Sequence, residues 1–385
     1  MPALWNKEFI ESLHASPGRL VMAVTGGGSQ AISALLEVAG ASRTVLEAAV
    51  PYADEALVRW LGATPEQFCS EETARLMAMA AYRRALDDAG AEAGSALAGI
   101  ACTASLASDR PKHGPHRIHL ALQTSALTLS HSLTLVKGRR SRFEEETIAA
   151  ALALNLVAEF KGPELRPEAG LLAEESLLVQ RCDAPPEWRQ LLSGERQRVP
   201  ANRGARLRSP GPPGRRLIFS GAFHPRHDGH LEMARLAAAR VGLPVEHELS
   251  IVNVDKPPID FIEMQKRAAQ FGDDEPLWLT RAATFVEKAV LFPATTFVVG
   301  ADTLSRIANP RYYGGTSVRD AALAALAASG VRFLVFGRHY DGSFRSLAAL
   351  EPPPVLAQLC DEVPAAEYRM DVSSTALRRG AGKKS

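Results

Sequence analysis

The chain has 385 residues, 46% of them hydrophobic and 6% aromatic, with 44 Lys and Arg against 43 Asp and Glu for a net charge of +1. Such a length predicts two or three domains with separate cores, and the balanced charge argues against a protein that reads nucleic acid or a membrane surface through a broad basic field. Cys69, Cys102, Cys182 and Cys360 stand far apart without metal-ligand spacing, and no apolar run approaches the roughly 18 residues of a membrane span, so a cytoplasmic protein without disulfides is expected.

Along residues 1–165, strand-like runs (Leu20–Val24, Leu97–Cys102, Arg117–Leu122, Ser132–Val136) alternate with helical patterns at Glu71–Ala89 and Glu144–Phe160. This alternation predicts an α/β domain. Residues 166–214 read as a linker. They hold one short helical pattern at Pro186–Leu192 and then seven arginines between Arg196 and Arg216, broken by Pro200, Pro210, Pro212 and Pro213. Residues 215–385 return to βα alternation. Strands are expected at Leu217–Phe219, Leu249–Val254, Thr296–Val299 and Arg332–Phe336, and helices at Leu231–Val241, Asp260–Phe271, Thr280–Leu291 and Val318–Ala328. Short apolar strands joined by helices predict a Rossmann-like, mostly parallel sheet.

The first strand of that C-terminal domain runs into Ser220-Gly-Ala-Phe-His-Pro-Arg-His-Asp-Gly-His230. Small residues at Ser220, Gly221 and Ala222 let a ligand approach the backbone. Asp228 is the expected helix cap, with Gly229 and His230 in the first turn. Free N–H groups there face the carboxyl end of the sheet, where open α/β sheets bind phosphates. His227 and His230, three apart, can hydrogen-bond phosphate oxygens and stabilise charge in a transition state.

The ordered set Gly221, Phe223, Pro225, His227, Gly229, His230 resembles the GxFxPxHxGH motif of the HxGH nucleotidyltransferases. That superfamily includes nicotinamide and nicotinate mononucleotide adenylyltransferases, pantetheine-phosphate adenylyltransferase and cytidylyltransferases. Val372-Ser-Ser-Thr-Ala-Leu-Arg378 is similar to its (I/V)SSTxxR string, and Phe297-Val-Val-Gly-Ala-Asp302 to its F(I/V)xGxD strand end. The resemblance implies His227, His230, Lys256 and Arg378 as catalytic residues. It implies Ser220, Gly221, Ala222, Phe223, Gly229, Gly300, Asp302, Ser373, Ser374 and Thr375 as nucleotide-binding residues. Several family members have Asp where His224 stands here.

Met22-Ala-Val-Thr-Gly-Gly-Gly-Ser29, with Tyr52-Ala-Asp-Glu-Ala-Leu57, Ser70-Glu-Glu-Thr-Ala74 and Gly99-Ile-Ala101, resembles the CinA C-terminal domain, the nicotinamide-nucleotide amidase family, over about residues 20–162. Where that family carries its serine nucleophile and activating lysine, this chain has Ala23 and Leu57. A hydroxyl nucleophile needs a nearby base, and both members are missing.

Together the two resemblances imply a catalytically degenerate CinA-like domain joined to an adenylyltransferase that moves AMP from ATP, with Mg²⁺, to a pyridine mononucleotide. Small-molecule partners, no nucleic acid, no membrane and homo-oligomerisation through the N-terminal domain are the further expectations. Another nucleotidyltransferase chemistry, with CTP or pantetheine phosphate, and a nucleotide-binding sensor remain as alternatives.

Overall fold

A computed structural model describes residues 4–90, 96–110, 113–163, 166–201, 215–254, 256–340 and 343–369. Two compact units make up the chain: Met1–Arg189 with Asp255–Glu263, and Gln190–Val254 with Met264–Ser385. Both are mixed α/β.

The first unit holds a six-stranded sheet of β1 (Arg19–Thr25), β2 (Val45–Ala49), β3 (Leu97–Ser105), β4 (His116–Thr124), β5 (Leu127–Leu135) and β6 (Leu178–Asp183), in the order β2-β1-β3-β4-β5-β6. β1 runs parallel to β2 and β3, and the later strands are antiparallel. β1 is an unbroken apolar run because both of its faces are covered. On one face Leu20, Met22, Ile100 and Leu120 pack with Ile148, Leu152 and Val157 of the helix Arg142–Lys161. That helix opens on a capping box in which Ser141 and Glu144 exchange hydrogen bonds. On the other face Ala23, Ala101 and Ala121 meet Ala74, Met77 and Ala78 of the helix Glu71–Asp88.

Part of the expected linker is regular structure. β6 pairs with β5, the helix Pro186–Ser193 forms as expected, and the short strand β7 (Arg198–Pro200) joins the second unit's sheet. Composition hid β6 because its residues, Cys182 apart, are exposed and its backbone pairing carries no apolar signal. Glu175 ties this stretch down. It accepts from Arg140 at 2.6 and 2.9 Å and from the Val136 and Leu172 N–H groups. Burial alone would raise its carboxyl, but these donors hold it below the usual carboxylate range.

The segment ending at Glu263 also packs into this unit. The buried Arg75 guanidinium meets Glu71 at 3.1 Å, Asp260 at 2.6 Å and Glu263 at 3.6 Å, and Phe261 N–H donates to the Thr128 hydroxyl at 3.0 Å.

The second unit is built on β7 and on β8 (Arg216–Ser220), β9 (Val245–Ser250), β10 (Leu277–Thr280), β11 (Thr295–Gly300), β12 (Arg332–Phe336), a small hairpin of β13 (Arg338–Tyr340) and β14 (Ser343–Arg345), and β15 (Cys360–Val363). The sheet order is β15-β12-β11-β8-β9-β10-β7, with every strand parallel to its neighbour except β7. Counted from β8, the six parallel strands run 3-2-1-4-5-6, so the direction of winding reverses between β8 and β11.

Two expected elements shift, and one strand is new. β9 begins four residues before Leu249 and stops at Ser250. The segment expected as a helix from Thr280 divides into β10 and the helix Phe285–Leu291, because Thr284 and Glu287 form a capping box that starts the helix later. β15 was not anticipated.

Candidate functional site

β8 is the central strand of the second unit, and the turn at its carboxyl end carries the paired histidines. The helix is Asp228–Val241, and its N-cap is His227 rather than Asp228, which occupies the first helical position. The cap bond explains the shift: His227 N–H donates to Nδ1 of His230 at 3.2 Å. The two rings stack with centroids 3.9 Å apart. Gly229 permits that approach, since a Cβ there would lie 3.0 Å from the His227 ring.

His230 packs edge-on to Phe223 and tilts against Phe219, at 5.2 and 5.8 Å. Burial, then the His227 and Arg338 charges, lower it to about 3. The ring is therefore neutral near pH 7. With Nδ1 accepting from the backbone, Nε2 carries the proton and is a donor. His227 is lowered as well, by burial and then by Arg338. Its two ring nitrogens are shielded from solvent and have no hydrogen-bond partner among the described residues. Shielded polar atoms of this kind cost about 1–3 kcal/mol unless a ligand or water completes them.

Across the switch point, Gly300 ends β11 and caps the helix Ala301–Ala308, with Asp302 in its first turn. A Cβ on Gly300 would fall 2.6 Å from Asp302 Oδ1, so glycine leaves room for the carboxylate to fold back. Arg338, just past β12, donates to Asp302 at 3.3 and 3.5 Å. Its charge reaches both imidazoles. Sequence reading missed Arg338; its one visible signal was its place right after an apolar strand end, Phe333-Leu-Val-Phe-Gly337.

The other expected binding residues have definite roles. Ser220 donates to Glu248 at 2.6 Å and accepts from Lys288 at 2.9 Å, inside a buried network that Thr280 completes. Its hydroxyl is thus engaged, and a ligand at this position meets backbone. Gly221 N–H donates to the Glu248 carbonyl. Ala222 is exposed, with its carbonyl accepting from Arg267. Phe223 is buried at φ +47°, in contact with Phe219 and Phe271. Arg267 also meets His224 Nδ1 at 2.8 Å. Trp278 is a packed residue, donating to Glu246 at 2.7 Å and standing 6.0 Å from Phe292.

Lys256 is exposed in the segment that packs with the first unit. There burial and Glu263 raise the Glu72 carboxyl, and Arg75 and Lys256 oppose the rise. Arg378, Ser373, Ser374 and Thr375 lie outside the described residues.

In the first unit, the glycine turn after β1 meets a carboxylate of the chain itself. Glu146 accepts from Gly28 N–H at 2.9 Å, the Ser29 hydroxyl at 2.9 Å and Gln30 N–H at 3.2 Å. It neutralises the positive end of the helix Ser29–Glu37, the place an external anion would take. Ala23 and Leu57, 0% and 2% exposed, lie in one apolar cluster with Leu61 and Met77.

Residues 6–159 match the CinA C-terminal domain. Among solved structures, the chain is similar to the competence/damage-inducible protein CihA from Agrobacterium tumefaciens, at 21% identity over 40% of this chain and 94% of that one, with a TM-score of 0.31. A CinA superfamily protein from Enterobacter cloacae shares 18% over 40% and 91%, TM-score 0.32, and one from Escherichia coli 13% over 41% and 92%, TM-score 0.31. No curated protein matches.

The CinA-like unit therefore has carbon side chains at both positions where the resemblance places a nucleophile and its base. The nearby Ser29 hydroxyl is held by Glu146. Among the described residues of the whole chain, no helix is long and apolar enough to cross a membrane, and no group of three or more His, Cys, Asp or Glu is arranged to hold a metal ion.

Proposed function

We propose that the second unit is a nucleotidyltransferase that transfers AMP from ATP to nicotinamide or nicotinate mononucleotide and releases pyrophosphate. One observation carries this reading: two stacked imidazoles stand at the carboxyl end of the central parallel strand, beside the switch point, with unsatisfied ring nitrogens and the Arg338–Asp302 pair close by. Open parallel sheets bind nucleotides at this place.

In this reading the acceptor phosphate attacks the α-phosphorus of ATP in line and pyrophosphate leaves. Little covalent chemistry falls to the protein, which positions the reactants and stabilises charge. His230 donates from Nε2 to the oxygens around the α-phosphorus, acting as a preorganised neutral donor rather than as a positive charge. His227 offers a second imidazole beside it. Asp302 accepts from hydroxyl or amide groups of the acceptor, and Arg338 supplies the cation. Mg²⁺ carried by the ATP would neutralise charge on the leaving pyrophosphate.

The test is a panel of nicotinamide mononucleotide, nicotinate mononucleotide and pantetheine phosphate, each with ATP and with CTP, followed by pyrophosphate release. Turnover with ATP and a pyridine mononucleotide is expected. Release with CTP or pantetheine phosphate alone would move the assignment to another nucleotidyltransferase, and tight ATP binding without release would make the unit a sensor.

For the CinA-like unit we infer a binding or scaffolding role without amidase turnover. Ala23 and Leu57 in one dry cluster, with an internal carboxylate on the glycine turn, support it. Ammonia release from nicotinamide mononucleotide by the full-length protein would refute it.

A further inference from the structure

The hairpin that follows β12 sets two like charges face to face. In the β13–β14 register Arg338 lies directly opposite Arg345. Residues directly opposite in an antiparallel pair project from the same face, and like charges in that relation destabilise the pair. The chain keeps both here, at the carboxyl edge of β11 and β12. Arg338 has Asp302 as its one hydrogen-bonding partner among the described residues, at 3.3 and 3.5 Å, long for a charge-assisted bond. Arg345 is half-buried and makes no side-chain hydrogen bond or ion pair with any described residue. The Arg369 guanidinium lies 5.6 Å from the ring of Phe344, whose side chain projects from the other face of the strand.

Two arginines opposed in register on one face, of which Arg338 is loosely paired and Arg345 has no partner among the described residues, are suited to an anion with several oxygens. Each planar fork can take two acceptor oxygens, and a ligand with one charge would leave the second fork unmatched. The neighbouring imidazoles mark where an α-phosphorus would react, so the phosphates beyond it are the ligand of the right charge.

We propose that the β13–β14 hairpin is an anion clamp: Arg338 and Arg345 take the terminal phosphates of the nucleoside triphosphate, and Asp302 is the internal counter-ion those phosphates displace. Displacement frees the Asp302 carboxylate to accept from the second substrate, so the triphosphate enters first and completes the acceptor site. The clamp rests on the nucleotidyltransferase reading given above.

Titration calorimetry of the full-length protein with inorganic pyrophosphate, beside turnover assays and thermal melts, tests it. Arg345→Gln and Arg338→Gln should each weaken pyrophosphate binding about tenfold or more. Arg345→Lys should recover only part, because an ammonium is a point charge without the fork. Arg345→Gln should melt no lower than the wild type, since a like-charge contact is removed. Equal pyrophosphate affinity in wild type and Arg345→Gln, or a loss that tracks a lowered melting temperature, overturns the clamp while leaving the enzyme reading in place. A wild-type protein that neither binds pyrophosphate nor turns over ATP with a pyridine mononucleotide sinks both.

Discussion

His230 accepts the His227 N–H through Nδ1, which puts the proton of its neutral ring on Nε2 and makes one side chain both a helix cap and a donor. Replacing it by alanine removes both. Turnover in the proposed reaction should fall roughly 10²–10³-fold, the usual cost of one preorganised donor to a transition state. Stability should fall by about 0.5–2 kcal/mol, as for other lost caps. Steady-state kinetics and a denaturant melt on His230→Ala check both halves, and an unchanged rate rules out the catalytic role. Because the ring titrates only near 3, its protonation should leave no inflection in kcat between pH 5 and 8.

At the scale of elements, Glu175 is the clearest point of leverage. Its side chain is wholly buried and takes four hydrogen bonds, from both Arg140 nitrogens and from two backbone groups. Glu175→Ala should cost about 3–5 kcal/mol, because it strands a buried guanidinium, and the loss should appear in a urea melt of the full chain. A change under about 1 kcal/mol would show that residues 166–177 are held by something else. This element also shows where sequence reading stops. Apolar runs with helical patterns between them made β1, β3, β4, β8, β11 and β12 legible, since buried strands advertise themselves by composition. β6 and β7 were not, because each is held by backbone pairing to a strand distant in sequence, which no local pattern encodes. The same division runs through the site. His227, Gly229 and His230 meet in one turn because their spacing is short, and Asp302 is set by its own strand end at Gly300. Arg338 was not legible, because its meaning depends on β11 and β12 lying side by side.

For the whole molecule, buried titrating groups set the acid limit. His230 binds its proton near pH 6.5 when unfolded and near 3 when folded, so its contribution is complete above 6.5 and is lost as pH falls toward 3. His247, lowered to about 4 by burial and then by Arg226, acts in the same direction. Glu275, held at about 2 chiefly by the Arg226 hydrogen bond, contributes above its ordinary value of 4.5 and loses that contribution between 4.5 and 2. The melting temperature should therefore decline in two stages on acidification, first through the histidine window and then through the carboxylate window. A melting temperature that is flat from pH 7 to 5 would show that the two imidazoles are solvated rather than packed.

Arg75, with its ion pairs to Asp260 and Glu263, makes the six-stranded half of the protein discontinuous in the gene. A truncation ending at Arg189 would retain every strand of that sheet, yet it would abandon a guanidinium only 3% exposed with one of its three carboxylates. Such a fragment should express poorly or melt well below the intact chain, and Arg75→Met should rescue it in part, since an apolar side chain of similar length needs no counter-charge. Evolution or engineering that treats the two halves as interchangeable modules must carry this short distant peptide along with the first.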